Sequence, residues 1–192
     1  MPVMRHQLYF NHKKVRMIKA YLIILLNIFA LCSCSQKPES ETYLIPQGFT
    51  GRVNVIFNRK DGTPIKYENG RRVYEIPATG VLLTQFKDEY GLVDHQYYYV
   101  DSNDKRSPLE IYKYDHNKDG TTKWLVKDND KIGVFSDGTT GQYGSRDNSK
   151  IVKWQEFVVC SYNGMDSFFT TEYKKQFENR LRKATGIEIT IP

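Results

Sequence analysis

Residues 115–120, DHNKDG, place side-chain oxygens at alternating positions, as calcium-binding loops do. The candidate ligands are Asp115, Asn117 and Asp119. An EF-hand is excluded, because its twelfth position is Val126 instead of a bidentate Glu and no helical periodicity flanks the segment. Asp, Asn and Gly are also typical of tight turns. We therefore interpret the segment as a hairpin connection, with a looser calcium turn completed by Asp128 or Asp130 as the alternative.

Tyrosines cluster in the segment HQYYYVD, residues 95–101. In a β-strand successive side chains point to opposite faces, so Tyr97 and Tyr99 should share one face and Tyr98 should take the other. An exposed pair could stack on sugar rings or contact a protein partner. The same residues also fill the cores of β-sheets, and both readings remain open. Tyr97 and Tyr99 are the candidate binding residues.

The sequence contains no recognisable catalytic motif. It lacks the nucleophile elbow G-x-S-x-G, the zinc helix H-E-x-x-H and the phosphate-binding glycine loops. His95 and His116 alone would underligate a metal ion. Ser136 and Asp137 have no base near them in the sequence. A site built from dispersed carboxylates leaves little linear trace, so we assign no catalytic residue and no metal or dissociable cofactor.

The N-terminus has the three parts of a secretory signal. A basic region ends near Lys19, the apolar run YLIILLNIFALC extends from Tyr21 to Cys32, and small residues follow. A membrane-spanning helix needs about 20 apolar residues, and this run is shorter. The pattern predicts a cleaved signal over residues 1–33.

The tetrapeptide LCSC at residues 31–34 resembles the lipobox of bacterial lipoproteins. In that motif an aliphatic residue and two small residues precede a cysteine, which receives a thioether-linked diacylglycerol and, after cleavage, an N-acyl chain. The match makes Cys34 the lipidated residue and the new N-terminus. Cys32 then leaves with the signal, and Cys160 is the one thiol that remains. Cys160 lies in the apolar segment FVVCSY, so we expect it to be buried, unreactive and free of any disulfide.

The positive charge of the chain belongs mainly to the signal. Five of the 28 basic residues lie within residues 1–33, which contain no acidic residue, so 23 basic and 22 acidic residues remain. The exported part is therefore close to neutral, and its composition gives no support to a nucleic-acid partner.

The remaining chain reads as short strands separated by turns. Val53, Val55 and Phe57 alternate with polar residues, which indicates a half-buried strand. Asn-Gly at 69–70 predicts a hairpin turn, and residues 136–149, rich in Gly and Ser, read as a loop. We predict a mainly β, sandwich-like body of the kind found in transthyretin-like or immunoglobulin-like domains.

One helix interrupts the strands. Phe169, Tyr173, Phe177 and Leu181 recur every four residues between 166 and 185. Asp166 or Ser167 could cap its start, and Gly186 supplies a C-terminal stop. IEITIP, residues 187–192, alternates like a last strand. The predicted organisation is a signal at 1–33, a lipidated cysteine with a polar tether at 34–41, and a single domain at 42–192 with the helix packed on its sheets.

Residues 43–100 resemble a family of uncharacterised bacterial lipoproteins, a domain of unknown function. The shared patterns are LIP-x-G-[YF]-x-G-x-V-x-[VI]-x-[FY], here Leu44 to Phe57, and [RI]-x-Y-x-I-P-x-x-G-[VI]-L-x-T, here Val73 to Thr84. EFVVCSY at 156–162 matches more loosely. The resemblance implies secretion and a mostly β fold, and it carries no catalytic residues. The first strands also resemble the opening hairpin of transthyretin-like and carboxypeptidase-regulatory modules, an analogy of fold alone.

These observations favour a lipid-anchored protein of the cell envelope whose domain binds a protein or glycan, or helps to assemble a surface system. The alternatives are a hydrolase of an envelope polymer that uses an unrecognised carboxylate pair, and a periplasmic inhibitor or immunity lipoprotein with a protruding loop. Ser35 is not the aspartate that retains many lipoproteins at the inner membrane, so the outer membrane is the expected location.

Overall fold

The computed structural model describes residues 38–89, 91–144 and 151–187. Two five-stranded sheets form its body. In sheet A the order is β3-β4-β1-β6-β7, with β1 (Glu41–Pro46), β3 (Tyr67–Glu68), β4 (Arg71–Glu75), β6 (His95–Val100) and β7 (Arg106–Pro108). In sheet B the order is β5-β2-β12-β11-β8, with β2 (Gly51–Ile56), β5 (Val81–Leu83), β8 (Glu110–Ile111), β11 (Gly133–Tyr143) and β12 (Val152–Cys160). The predicted β-rich, sandwich-like body is confirmed.

A third, two-stranded sheet stands apart from the other two. It is the hairpin of β9 (Tyr114–His116) and β10 (Thr122–Trp124), paired with Tyr114 opposite Trp124. The segment DHNKDG thus forms the predicted hairpin connection. The Asn-Gly turn is also confirmed: Asn69 and Gly70 both have positive φ, 50° and 74°, and they join the antiparallel strands β3 and β4.

Strand β1 lies at the centre of sheet A. It pairs in parallel with β4 on one side and with β6 on the other, from Glu41 to Pro46 along β6. Its inward side chains, Tyr43 and Ile45, are fully buried in the core between the sheets. That core is lined by the inward residues of both sheets: Tyr43, Ile45, Val53, Val55, Phe57, Tyr74, Ile76, Leu82, Phe86, Tyr97, Tyr99, Val134, Phe157 and Val159.

The predicted helix is present but starts later than expected. A 3-10 helix covers Met165–Phe169, and α1 runs over Thr171–Thr185. Thr170 is the N-cap, because its hydroxyl accepts a hydrogen bond from the Tyr173 amide at 3.2 Å. Gly186 ends the helix in the left-handed conformation, φ 70°, as predicted. None of the helices in the described part of the chain is long and apolar enough to cross a membrane.

Helix α1 changes the environment of β2. Phe177 and Leu181 of α1 pack on the outer face of sheet B, so β2 is buried on both faces instead of being half-buried. Its polar residues Arg52 and Asn54 are consequently enclosed, with 5% and 0% exposure. The predicted last strand at residues 187–192 lies, apart from Ile187, outside the described residues.

Candidate functional site

A cluster of ionisable side chains lies between the two sheets at the start of β1 and β6. The imidazole of His95 contacts a carboxylate at each nitrogen: Asp137 Oδ1 lies 2.6 Å from Nδ1, and Glu41 Oε2 lies 3.2 Å from Nε2. Gln155 of β12 adds a contact of 3.5 Å at Nε2. The side chains of Glu41 and His95 are 4% and 6% exposed and that of Asp137 is 27% exposed, so the cluster is nearly closed to solvent.

Three tyrosines complete the hydrogen bonding of the two carboxylates. The hydroxyls of Tyr43 and Tyr74 donate to Glu41, the second at 3.0 Å. The hydroxyl of Tyr97 donates to Asp137 Oδ1 at 2.5 Å. Buried carboxylates need such donors, because burial without partners would be strongly unfavourable.

An irregularity in β11 brings Asp137 to His95. The register with β12 shifts between Phe135 and Thr139, so three residues of β11 oppose one residue of its partner strand. Ser136 and Gly138 on either side of Asp137 have positive φ, 56° and 75°. A β-bulge re-aims a side chain in this way, and here it turns Asp137 toward the imidazole. The predicted loop at 136–149 is therefore strand as far as Tyr143, and residues 145–150 of it lie outside the described residues.

The cluster holds His95 in its charged form. Burial alone would lower the pKa of His95, but the hydrogen bonds to Asp137 and Glu41 outweigh burial and raise the pKa to about 9. Burial would raise the pKa of Asp137, but its hydrogen bonds with His95 and Tyr97 hold that pKa below the usual range. Both ring nitrogens then donate, and both carboxylates accept.

This arrangement suits an ionic link between the sheets better than catalysis. Glu41 and His95 belong to sheet A, whereas Asp137 and Gln155 belong to sheet B. Both carboxylates are occupied by the same imidazole, and the other polar contact described for the ring is an amide rather than a hydroxyl or thiol nucleophile. The carboxylates are thus bound to the protein itself.

A second buried ionic group lies under α1. Arg52 Nη2 donates to Glu156 Oε1 at 2.7 Å, and Asn54 Nδ2 donates to the other oxygen of Glu156 at 2.7 Å. Tyr143 donates to the Asn54 side chain at 2.9 Å. The Arg52 guanidinium also lies 5.4 Å from the ring centre of Phe177 in α1. This group fixes the helix to sheet B.

Exposed aromatic and apolar side chains gather on the β9–β10 hairpin. We call Tyr114, His116 and Trp124, which share one face of the hairpin, the hairpin surface. The ring centre of Tyr114 lies 5.3 Å from that of Trp124 and 5.3 Å from that of His116, in edge-to-face geometry. Tyr114 and Leu125 are 53% and 52% exposed. Trp124 packs at 5.0 Å against buried Phe135, which attaches the hairpin to sheet B. Its rings form a supported surface that can contact another molecule.

The predicted calcium ligands lie in this hairpin and serve its turn. Asn117 Nδ2 donates to the Thr121 hydroxyl at 2.9 Å. Asp119 Oδ1 accepts from the Thr121 amide at 2.9 Å and from its hydroxyl at 2.7 Å. Asp115 Oδ1 accepts from the His116 amide at 2.8 Å. Within the described residues no group of three or more His, Cys, Asp or Glu side chains could hold a metal ion. The oxygens are used by the turn, which explains their spacing.

The tyrosine prediction needs a correction. Tyr97 and Tyr99 do share a face of β6, but it is the inner face, where they are 2% and 7% exposed. Tyr97 stacks on Tyr43 with ring centres 4.7 Å apart, and Tyr99 donates to the Phe49 carbonyl at 2.5 Å. Alternation predicts which residues share a face, but the packing of the second sheet decides which face is buried. These two rings therefore do not form a binding surface.

The structure describes one of the two cysteines for which a prediction was made. Cys34 lies outside the described residues. Cys160 is a free, buried thiol, as expected, and burial raises its pKa to about 12. The residues that the sequence did not reveal are Glu41 and Asp137 as partners of His95. Glu41 could have been indicated by its position two residues before inward Tyr43 in β1, whereas Asp137 lies in a polar stretch that reads as a loop.

Comparison with known proteins gives a family and a fold. The model of a family described as a family of unknown function (DUF6843) matches residues 37–168. No curated protein matches the chain. The crystal structure of a Bacillus anthracis protein described as a "Putative Lipoprotein" is similar with a TM-score of 0.51 and 18% identity, covering 79% of this chain and 99% of that one. At this identity the likeness shows the fold alone.

Proposed function

The chain belongs to the family of unknown function DUF6843, and we propose that it is a lipid-anchored cell-envelope protein whose β-rich domain binds another envelope protein without catalysis. The observation that carries the binding role is the hairpin surface, where exposed aromatic side chains lie on a sheet separate from the sandwich. The anchor rests on the N-terminal sequence and is a separate part of the proposal.

Three features support the anchor. The basic and apolar segments of residues 1–33 have the order of a secretory signal, and LCSC places Cys34 at the lipidation position. The description of the Bacillus anthracis neighbour as a lipoprotein agrees with this reading. The thioether-linked diacylglycerol and the N-acyl chain on Cys34 would together supply the two hydrophobic signals that stable membrane attachment needs. In a cell with two membranes, Ser35 favours the outer one.

Replacing Cys34 with alanine should abolish membrane attachment. Without the thiol no diacylglycerol can be added, and the protein should move from the membrane fraction to the soluble fraction. Incorporation of a labelled fatty acid, followed by fractionation, measures this. Cys160→Ala is the matched control and should leave both the label and the fractionation unchanged. A Cys34→Ala protein that still carries label would show that the anchor is assigned to the wrong residue.

The hairpin surface supports a protein partner. Exposed Tyr and Trp side chains are enriched at protein interfaces, where they bury large areas at low entropic cost. Four exposed lysines, Lys113, Lys118, Lys123 and Lys127, lie on or beside the hairpin and would supply a charged rim. Protein interfaces have this organisation of an aromatic centre and a polar rim.

A photo-crosslinking amino acid in place of Tyr114 should give one discrete protein adduct in intact cells. Adding His116→Ala, whose ring lies 5.3 Å from that of Tyr114, to the same protein should reduce the adduct about tenfold, the effect expected for removal of a central interface side chain. The same crosslinker in place of Tyr67, which is 50% exposed on sheet A, is the control and should give no such adduct. Binding of the wild type to isolated cell-wall glycan, with no protein adduct, would assign the surface to a glycan instead.

A further inference from the structure

We propose that residues 91–94, with Leu92, rest against the membrane surface when Cys34 carries its lipid. This inference depends on the proposed lipid anchor and adds a membrane-contacting face to it. The partner that this face contacts is the phospholipid surface of the membrane. Leu92 is 100% exposed, the largest exposure among the large hydrophobic side chains of the described residues.

The start of the folded domain is held beside residues 91–94. Pro38 packs against Gly91 so closely that a Cβ atom at Gly91 would lie 3.1 Å from Pro38 Cγ. The Glu39 amide donates to Glu89 Oε2 at 2.8 Å, and the Glu41 amide donates to the Asp94 carbonyl at 2.9 Å. The chain therefore enters the domain beside residues 91–94, and Leu92 follows directly on the residue that Pro38 touches.

The length of the tether limits how far this point can lie from the membrane. Three residues lie between Cys34 and Pro38. The four steps from one Cα to the next span at most about 3.6 Å each, which gives a reach of about 14 Å. The lipidated sulfur of Cys34 would lie at the headgroup level, because its acyl chains occupy the hydrocarbon region. Residues 91–94 are thus kept close to the headgroups, and insertion of the exposed Leu92 side chain would remove apolar surface from water.

The charges around the loop permit this approach. Glu39 and Glu89 both pair with Arg72, the first at 2.6 Å. Asp94 pairs with Arg71 at 2.5 Å. Two arginines therefore balance two of the three carboxylates nearest the loop, which leaves one net negative charge and weakens the repulsion from an anionic lipid surface.

The test is a fluorescent probe at position 92. Leu92→Cys in the acylated protein is labelled with an environment-sensitive dye and reconstituted into vesicles of phosphatidylcholine and phosphatidylglycerol. Cys160 should remain unlabelled under native conditions, because its thiol is buried and its pKa is raised to about 12. The emission of the dye at position 92 should move to shorter wavelength. A nitroxide near the lipid headgroups should quench this dye at least about twofold more than it quenches the same dye on Leu125→Cys. Leu125 is the matched control, since it is also exposed but lies at the end of the β9–β10 hairpin.

Two controls separate this inference from the anchor. If Cys34 takes up no labelled acyl chain, the anchor proposal fails. If Cys34 is acylated but the probes at positions 92 and 125 show equal emission and quenching, the membrane-contacting face is wrong while the anchor stands. With Cys34→Ala, the probe at position 92 should show neither the shift nor the quenching.

Discussion

Replacing Glu156 with glutamine should lower the free energy of unfolding by about 3–5 kcal/mol, the usual cost of removing one partner of a buried ion pair. The Arg52 and Glu156 side chains are 6% and 11% exposed and lie 2.7 Å apart. Arg52 Nε and Nη1 are buried without a hydrogen-bond partner, so Glu156 is the charge that compensates this guanidinium in the described structure. Glutamine keeps the shape but removes the charge, which leaves a cation enclosed under α1.

Urea unfolding of the detergent-solubilised protein measures this loss. Asp61→Asn is the matched control: it breaks the exposed pair with Arg59 and should leave the free energy of unfolding almost unchanged. The double variant Arg52→Met, Glu156→Leu should recover much of the lost stability, because no charge then remains buried. A single variant Glu156→Gln as stable as the wild type would show that the pair is solvated in solution.

The stability of the protein should fall between pH 6.5 and pH 9, and His95 should account for the fall. A histidine whose pKa is raised in the folded state stabilises the fold fully below its unfolded pKa of about 6.5, and this contribution is lost as the pH rises through the folded pKa of about 9. Between pH 7 and pH 9 the expected loss is about 2 kcal/mol. Asp137 matters at low pH instead. Because its pKa is lowered in the folded state, its contribution to the free energy of unfolding is present above about pH 4 and is lost as the pH falls through the lowered pKa.

Unfolding free energies measured from pH 6 to pH 9 test this dependence. The range stops below the ordinary tyrosine pKa of about 10, so that ionisation of tyrosines in the unfolded chain does not contribute. In His95→Gln most of the slope should be lost, and the protein should be less stable at pH 7 because Glu41 and Asp137 lose their shared cation. The small slope that remains should come from Cys160, because its thiol ionises at about pH 8.5 in the unfolded chain but has a raised pKa in the folded one. His116→Gln, on the exposed hairpin, should keep the wild-type slope. A slope that survives in full in His95→Gln would assign the pH dependence to another group.

Local patterns allowed the strands, the turns and the helix to be predicted. Alternation identified Val53 and Val55 as inward residues, and Asn-Gly at 69–70 identified a hairpin, because both depend on neighbours in the sequence. The identity of the buried partners depended on distant contacts instead. His95 and Asp137 are 42 residues apart, and a bulge rather than a regular strand brings them together. Residues such as Ser, Asp and Gly read as a loop in isolation, so the sequence favoured the wrong structure there.

The burial of polar residues was the harder part to predict. Arg52 and Asn54 alternate with valines, a pattern that normally indicates a solvent-exposed face. They are covered because α1, more than a hundred residues later, packs on the outer face of sheet B and meets Arg52 with Phe177. Likewise, alternation placed Tyr97 and Tyr99 together but could not decide between the inner and the outer face. Which face of a strand is buried is determined by how the sheets and the helix pack together, and not by the sequence of that strand alone.

The central position of β1 determines how the domain would transmit a pulling force. A partner bound at the hairpin surface and a lipid at Cys34 would draw the domain in different directions, and the load from the membrane side enters through the first residue of β1. Because β1 is hydrogen-bonded along both edges, to β4 and to β6, tension along the strand shears both ladders at once rather than opening them one bond at a time. Resistance to such a force depends on the rate of unfolding. A lipid tether at Cys34 would thus place the load on a strand that is hydrogen-bonded along both edges.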